Sequence, residues 1–141
     1  MAISSKKDNL IIARFFPNEN VIEKLAEVCK KHQVKTGVLI SGIGQLANFE
    51  LGFFKEKGNY LPQKFETPHE MLCLSGFISL NKVGEYDFHL HGTLSGPDKS
   101  VVGGHFINGV VSITLEVTIL KSEIKIKREV EEETGLKGLN F

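Results

Sequence analysis

Three of the chain's 5 histidines fall between positions 89 and 105, and the first two stand on a segment with legible alternation. Tyr86, Phe88, Leu90 and Leu94 point one way, while Glu85, Asp87, His89, His91, Thr93 and Ser95 point the other. His89 and His91 therefore share a face. Same-face neighbours on a strand stand about 6.5–7 Å apart at the backbone, close enough for two imidazoles to converge on one cation.

A third ligand has to come from the adjacent strand. A four-residue loop over Gly96–Lys99 would pair Ser95 with Ser100 and set His105 opposite Leu90, on the apolar face. A loop with an odd number of residues, or a one-residue bulge at Gly103-Gly104, moves His105 opposite His89 or His91, and that irregularity is the expectation. Three neutral imidazoles with one open position are the donor set of a catalytic rather than a structural zinc site, where bound water titrates near ~7. His89, His91 and His105 are thus the expected ligands of a divalent metal, zinc by preference. Asp87, Glu85 or Glu116 are candidates to orient the ring N–H groups. Polar strand histidines with separate hydrogen bonds are the plainer alternative, and no residue is assigned a catalytic role.

Other motifs carry less. Gly42-Ile43-Gly44-Gln45-Leu46-Ala47, with Glu66 downstream, formally matches a dinucleotide fingerprint, but Asn48–Phe54 alternates as a strand where a helix is required. His69 and His32 read as surface groups, the latter near the negative end of a helix. Ser41 lacks a nucleophile motif.

The elements that must position the histidines follow from periodicity. Leu10–Phe16 is an apolar strand stopped by Pro17. From Asn18 as N-cap, Val21, Ile22, Leu25, Val28 and Cys29 recur at helical spacing, the one main helix. Val38–Ile40 is a buried strand leading to a loop at Ser41–Gly44, and residues 49–54 and 60–65 form a hairpin. Met71–Leu80 is a strand bent at Gly76, followed by strands over 85–95, 100–107, 110–120 and 123–128, with a turn at Asn108-Gly109. Val111, Ile113, Leu115, Val117 and Ile119 form one dry face. The segment 129–141 reads as a solvated C-terminal tail. The fold class is α+β, a mostly antiparallel sheet with one main helix, in a single domain spanning 1–141. One helix leaves sheet surface uncovered, which invites oligomerisation.

Composition narrows the function classes. With 17 basic and 17 acidic side chains the net charge is zero, so the clustered cations of a phosphate-binding surface are not signalled. The apolar fraction of 41% is that of a globular chain rather than a disordered one. No stretch reaches the ~20 apolar residues of a membrane span and the start has no signal-peptide core, so a cytoplasmic protein without a membrane partner is expected. Cys29 and Cys73 read as reduced core residues.

Leu72-Cys73-Leu74-Ser75-Gly76, His89-Leu90-His91-Gly92-Thr93-Leu94 and Val101-Val102-Gly103-Gly104-His105, preceded by Ser41-Gly42-Ile43-Gly44, resemble the PPC family, the domain conserved in plants and prokaryotes. The resemblance runs from the Arg14 strand to about Ile126. It implies a largely antiparallel α+β domain that assembles as a homotrimer, with a metal held in many prokaryotic members by histidines matching His89, His91 and His105. Plant relatives join the domain to AT-hook segments and act as nuclear DNA-binding regulators, and prokaryotic members are commonly called candidate DNA-binding proteins. This sequence has no Arg-Gly-Arg-Pro hook. Where the plant pattern reads Gly-Arg-Phe-Glu-Ile-Leu, it has Pro68-His69-Glu70-Met71-Leu72, without the arginine that minor-groove binding needs. The expected function is a trimeric metal-binding domain with a DNA-associated or regulatory role. A metal-dependent enzyme acting on a small molecule through a water on three histidines is the alternative, and a structural trimer is the third class.

Overall fold

The computed structural model describes residues 1–141. Two long strands organise it: β3 (Thr36–Glu56) and β7 (Val101–Ser122) run antiparallel from Thr36 opposite Ser122 to Gly52 opposite His105. Each also uses its other edge. β3 pairs there with β5 (His69–Leu80) and then with β4 (Asn59–Phe65), while β7 pairs with β6 (Tyr86–Ser95) and then with β2 (Leu10–Phe15). Because β5 also pairs with β6, the strands β3, β5, β6 and β7 close a circuit without a free edge between them. β1 (Ile3–Lys7) extends the sheet beyond β2. This is the expected α+β architecture, mostly antiparallel sheet with a single helix.

The helix α1 (Val21–Lys31) buries Val21, Leu25, Val28 and Cys29, one stripe at the spacing its sequence shows. It is capped by Asn20 rather than Asn18: the Asn20 side chain accepts from the Glu23 amide at 3.1 Å, while Asn18 sits in the left-handed region at φ 69°. Leu39, Leu46, Leu74, Leu90, Leu94 and Leu115 lie at zero exposure between the sheet surfaces, in one cluster with the helix stripe.

Several boundaries differ from expectation. Ser41–Gly44 is not a loop but the middle of β3, where shifts in register replace a turn. Asn108-Gly109 is likewise inside β7. The Asn108 side chain accepts the Gly109 amide at 2.8 Å, so the ladder is interrupted without reversing the chain. A further irregularity sets Leu115 opposite Gly44 but Val111 opposite Leu46, and the extra residues turn Ile113 outward at 60% exposure, breaking the dry face. Cys73 is exposed, not core, whereas burial pushes the Cys29 thiol up to about 12. His69 is buried, with its ring edge-on to Phe49 and Phe65 and Nδ1 at 2.9 Å from the Thr67 carbonyl oxygen, so it is no surface group. β1 escaped the periodicity reading because Ser4, Ser5, Lys6 and Lys7 give a polar edge strand no apolar alternation. The last strand begins later than expected: β8 (Lys127–Val130) pairs with β9 (Lys137–Asn140), and the tail is a folded hairpin. No helix is long and apolar enough to cross a membrane.

Candidate metal centre

The loop between β6 and β7 sets where His105 stands against β6. Ser95 pairs with Val101, so residues 96–100 form a loop of five, and from there the register runs unbroken to His91 opposite His105. The odd loop supplies the expected shift. Gly103 and Gly104 pair in turn with Thr93 and Gly92 and form no bulge against β6. His89 and His91 alternate with the buried Leu90, so all three rings stand on one face.

Their centroids form a near-equilateral triangle: His89 to His91 5.2 Å, His89 to His105 5.5 Å and His91 to His105 5.6 Å. One ligand nitrogen from each lies within 4.8 Å of the others. Tetrahedral zinc ligands stand roughly 3.3 Å apart at Zn–N distances near 2.0–2.1 Å, so small side-chain rotations close the gap. The chain's other two histidines spend ring nitrogens on Ser4 and Thr67, and the rings of the triad carry no such bond. This donor set could hold a metal ion.

Burial lowers the proton affinity of His89 and His105 first, and the charge of Arg128 and the neighbouring imidazoles lower it further. Both rings are thereby held in the neutral form that coordinates. The groups expected to orient the rings do not. Asp87 Oδ2 accepts from Lys137 Nζ at 2.7 Å, Glu85 accepts from the Asn81 side chain, and Glu116 pairs with Arg14 and Ile43 on a distant part of β7. Tyr60 stands edge-on to His105 at 6.0 Å, in room left by Gly52, where a Cβ would lie 2.2 Å from the tyrosine oxygen.

The triad lies on the wall of an open cavity of about 920 Å³, with Arg128, Leu136 and Lys137 from the β8–β9 hairpin facing it. No local sequence pattern ties Arg128 and Lys137, in the C-terminal segment, to the histidines of β6.

A small α+β domain with three histidines gathered on adjacent strands is the class that fold and site together define. The family model described as the Plants and Prokaryotes Conserved (PCC) domain matches residues 2–123, and the chain belongs to that family, as the motif resemblance implied. No curated protein matches it. Among solved structures, a candidate DNA-binding protein of Bacteroides thetaiotaomicron is 25% identical with a TM-score of 0.92, covering 100% of this chain and 98% of that one. A PPC protein of Pyrococcus horikoshii is also 25% identical, at TM-score 0.80, covering 100% and 97%. A metal-containing protein of Archaeoglobus fulgidus shares the fold at 24% identity and TM-score 0.85, with 100% of both chains covered.

Proposed function

We propose that this chain is a metal-binding PCC domain that holds a divalent cation, zinc by donor chemistry, on His89, His91 and His105 and works as a homotrimer. The observation that carries the reading is the triangle of uncommitted imidazoles within 4.8 Å. Support comes also from a protein of the same fold described as metal-containing. For the trimer, the support is apolar surface on the sheet, where Ile12, Ile40, Ile43, Leu72 and Ile113 are each exposed by 47% or more. The names of related structures favour a DNA-associated, regulatory role. With zero net charge, that role would act through assembly rather than through a basic surface.

Elemental analysis of untagged protein tests the site. The wild type is expected to carry about one metal per chain, and a His89→Ala, His91→Ala variant close to none; equal content in both overturns the reading. Sedimentation at the mass of a single chain would remove the trimer, and absence of a salt-dependent gel shift would remove the DNA role.

The second reading, a metal-dependent enzyme for a small molecule, is favoured by the cavity in front of the triad. When bound, the ion would supply Lewis acidity and an acidified water. The chain's own residues line the approach to the triad with Phe53 and Phe88 and lower the proton affinity of His89 and His105 by burial.

A further inference from the structure

The charges around the cavity do not balance. Three neutral imidazoles leave a divalent ion both of its charges. Lys137 and Asp87 cancel each other across 2.7 Å. Arg128 has no carboxylate partner; its guanidinium is tied only to the Lys137 carbonyl oxygen at 2.5 Å, within its own hairpin. The one acid on the cavity wall is already committed, and one fixed cation faces the cavity with most of its donors free. The remaining wall is largely apolar, with Phe53, Phe54, Phe88, Ile107 and Leu136. An anionic head and a hydrocarbon body are what such a surface complements.

We infer that the cavity is a binding site for a small organic acid, its carboxylate set between the triad and the Arg128 guanidinium and its apolar body against Phe53, Phe88 and Leu136. A planar fork of N–H donors fits a carboxylate in bidentate fashion, and the backbone bond to Lys137 holds that fork in place before the ligand arrives. The hairpin that carries Arg128 lies beyond residue 123, where the family match ends. The domain thus brings the triad, and the C-terminal hairpin brings the selectivity. Its attachment is specific: Lys137 to Asp87 on β6, and Lys57 Nζ, next to β4, to the Glu132 carbonyl oxygen.

This assignment deepens the metal-site reading and rests on it for one of the carboxylate's two contacts. Calorimetry with benzoate and 3-phenylpropionate as probes tests it, on zinc-loaded and metal-free protein, with benzyl alcohol as the neutral control and inorganic phosphate as the anion without an apolar body. Expected are binding of at least one of the two acids, little binding of the alcohol or of phosphate, and a loss of about tenfold or more in Arg128→Gln, the scale of a charge-assisted hydrogen-bond pair. Arg128→Gln should bind zinc as the wild type does, showing an intact site. Acid binding that is Arg128-dependent in a protein that takes up no zinc would sink the metal reading and leave this one standing. Failure of both acids to bind, equal binding by Arg128→Gln, or equal binding of benzyl alcohol overturns the proposal.

Discussion

Gly76 joins the fold to the centre, and replacing it with alanine should damage both. It pairs with Leu90 on β6 and Leu39 on β3, at φ 151°, and an added Cβ would lie 2.0 Å from the carbonyl oxygen of His89. Real Cβ contacts essentially never fall below 3.0 Å, so β5 and β6 must separate by about an ångström. Backbone strain at this φ costs about 1–3 kcal/mol, and loosened ladder hydrogen bonds about 1 kcal/mol each, for a total of roughly 3–5 kcal/mol. That is a large share of the ~5–15 kcal/mol that holds a domain together. At about 3 °C per kcal/mol for a chain of this size, Gly76→Ala should melt roughly 10–15 °C below the wild type by circular dichroism. Gly58→Ala is the control. It shares a positive φ, 79°, but has nothing within 4 Å of the new methyl, so only the strain of about 1 kcal/mol applies. The displaced carbonyl belongs to His89, so zinc affinity, measured well below the melting point, should fall in Gly76→Ala and not in Gly58→Ala. Equal melting temperatures for the two variants would refute the collision, and unchanged zinc affinity would refute its link to the triad.

Burial, aided by nearby positive charge, lowers the proton affinity of His32, His89 and His105. The metal-free unfolded chain therefore binds more protons than the folded one below about pH 6.5, and stability should drop as pH falls from 7.5 to 5.5; a urea midpoint independent of pH across that window contradicts this. Native protein should expose one thiol to Ellman's reagent, Cys73, with Cys29 reacting only after denaturation; two thiols reacting at once would mean the helix stripe is not packed. Deleting Lys99 shortens the 96–100 loop by one residue, but the pairing of β7 with β3 and β2 fixes its register. The expected result is a lower melting temperature with zinc stoichiometry kept, and loss of zinc binding in a well-folded variant would show instead that β7 slips.

What the sequence made legible was whatever one strand or helix encodes by itself. The shared face of His89 and His91, the buried stripe of α1 and the β3–β4 hairpin are local periodicities, read over a few residues. What it hid depends on partners. Asn108-Gly109 has the composition of a turn, yet β7 passes straight through it because β3 pairs on either side, from Leu46 and Ala47 to Leu51 and Gly52. Ile113 belongs to an apolar alternation and still faces outward, because a bulge is a property of two strands rather than of one. Cys73 sits in an apolar run but across a register shift from Met71, which leaves it exposed.

The same distinction explains the centre. Chemistry at this position requires His105 to lie on one face of β7 rather than the other, and in a ladder with a period of two that choice is a matter of parity. The 96–100 loop sets the parity where β6 and β7 meet. It does not hold it alone, because Gly52 opposes His105 from β3 and carries the same register down the other edge of β7. A residue fixed from both edges cannot change face without unpairing two strands. The imidazole of His105 is therefore held to the face of His89 and His91 by the closed circuit of strands. The hairpin beside the cavity has no such double ladder; it is tied to the domain by the Lys137–Asp87 ion pair and the bond from Lys57 to the Glu132 carbonyl oxygen, so changes there should leave the triad in place.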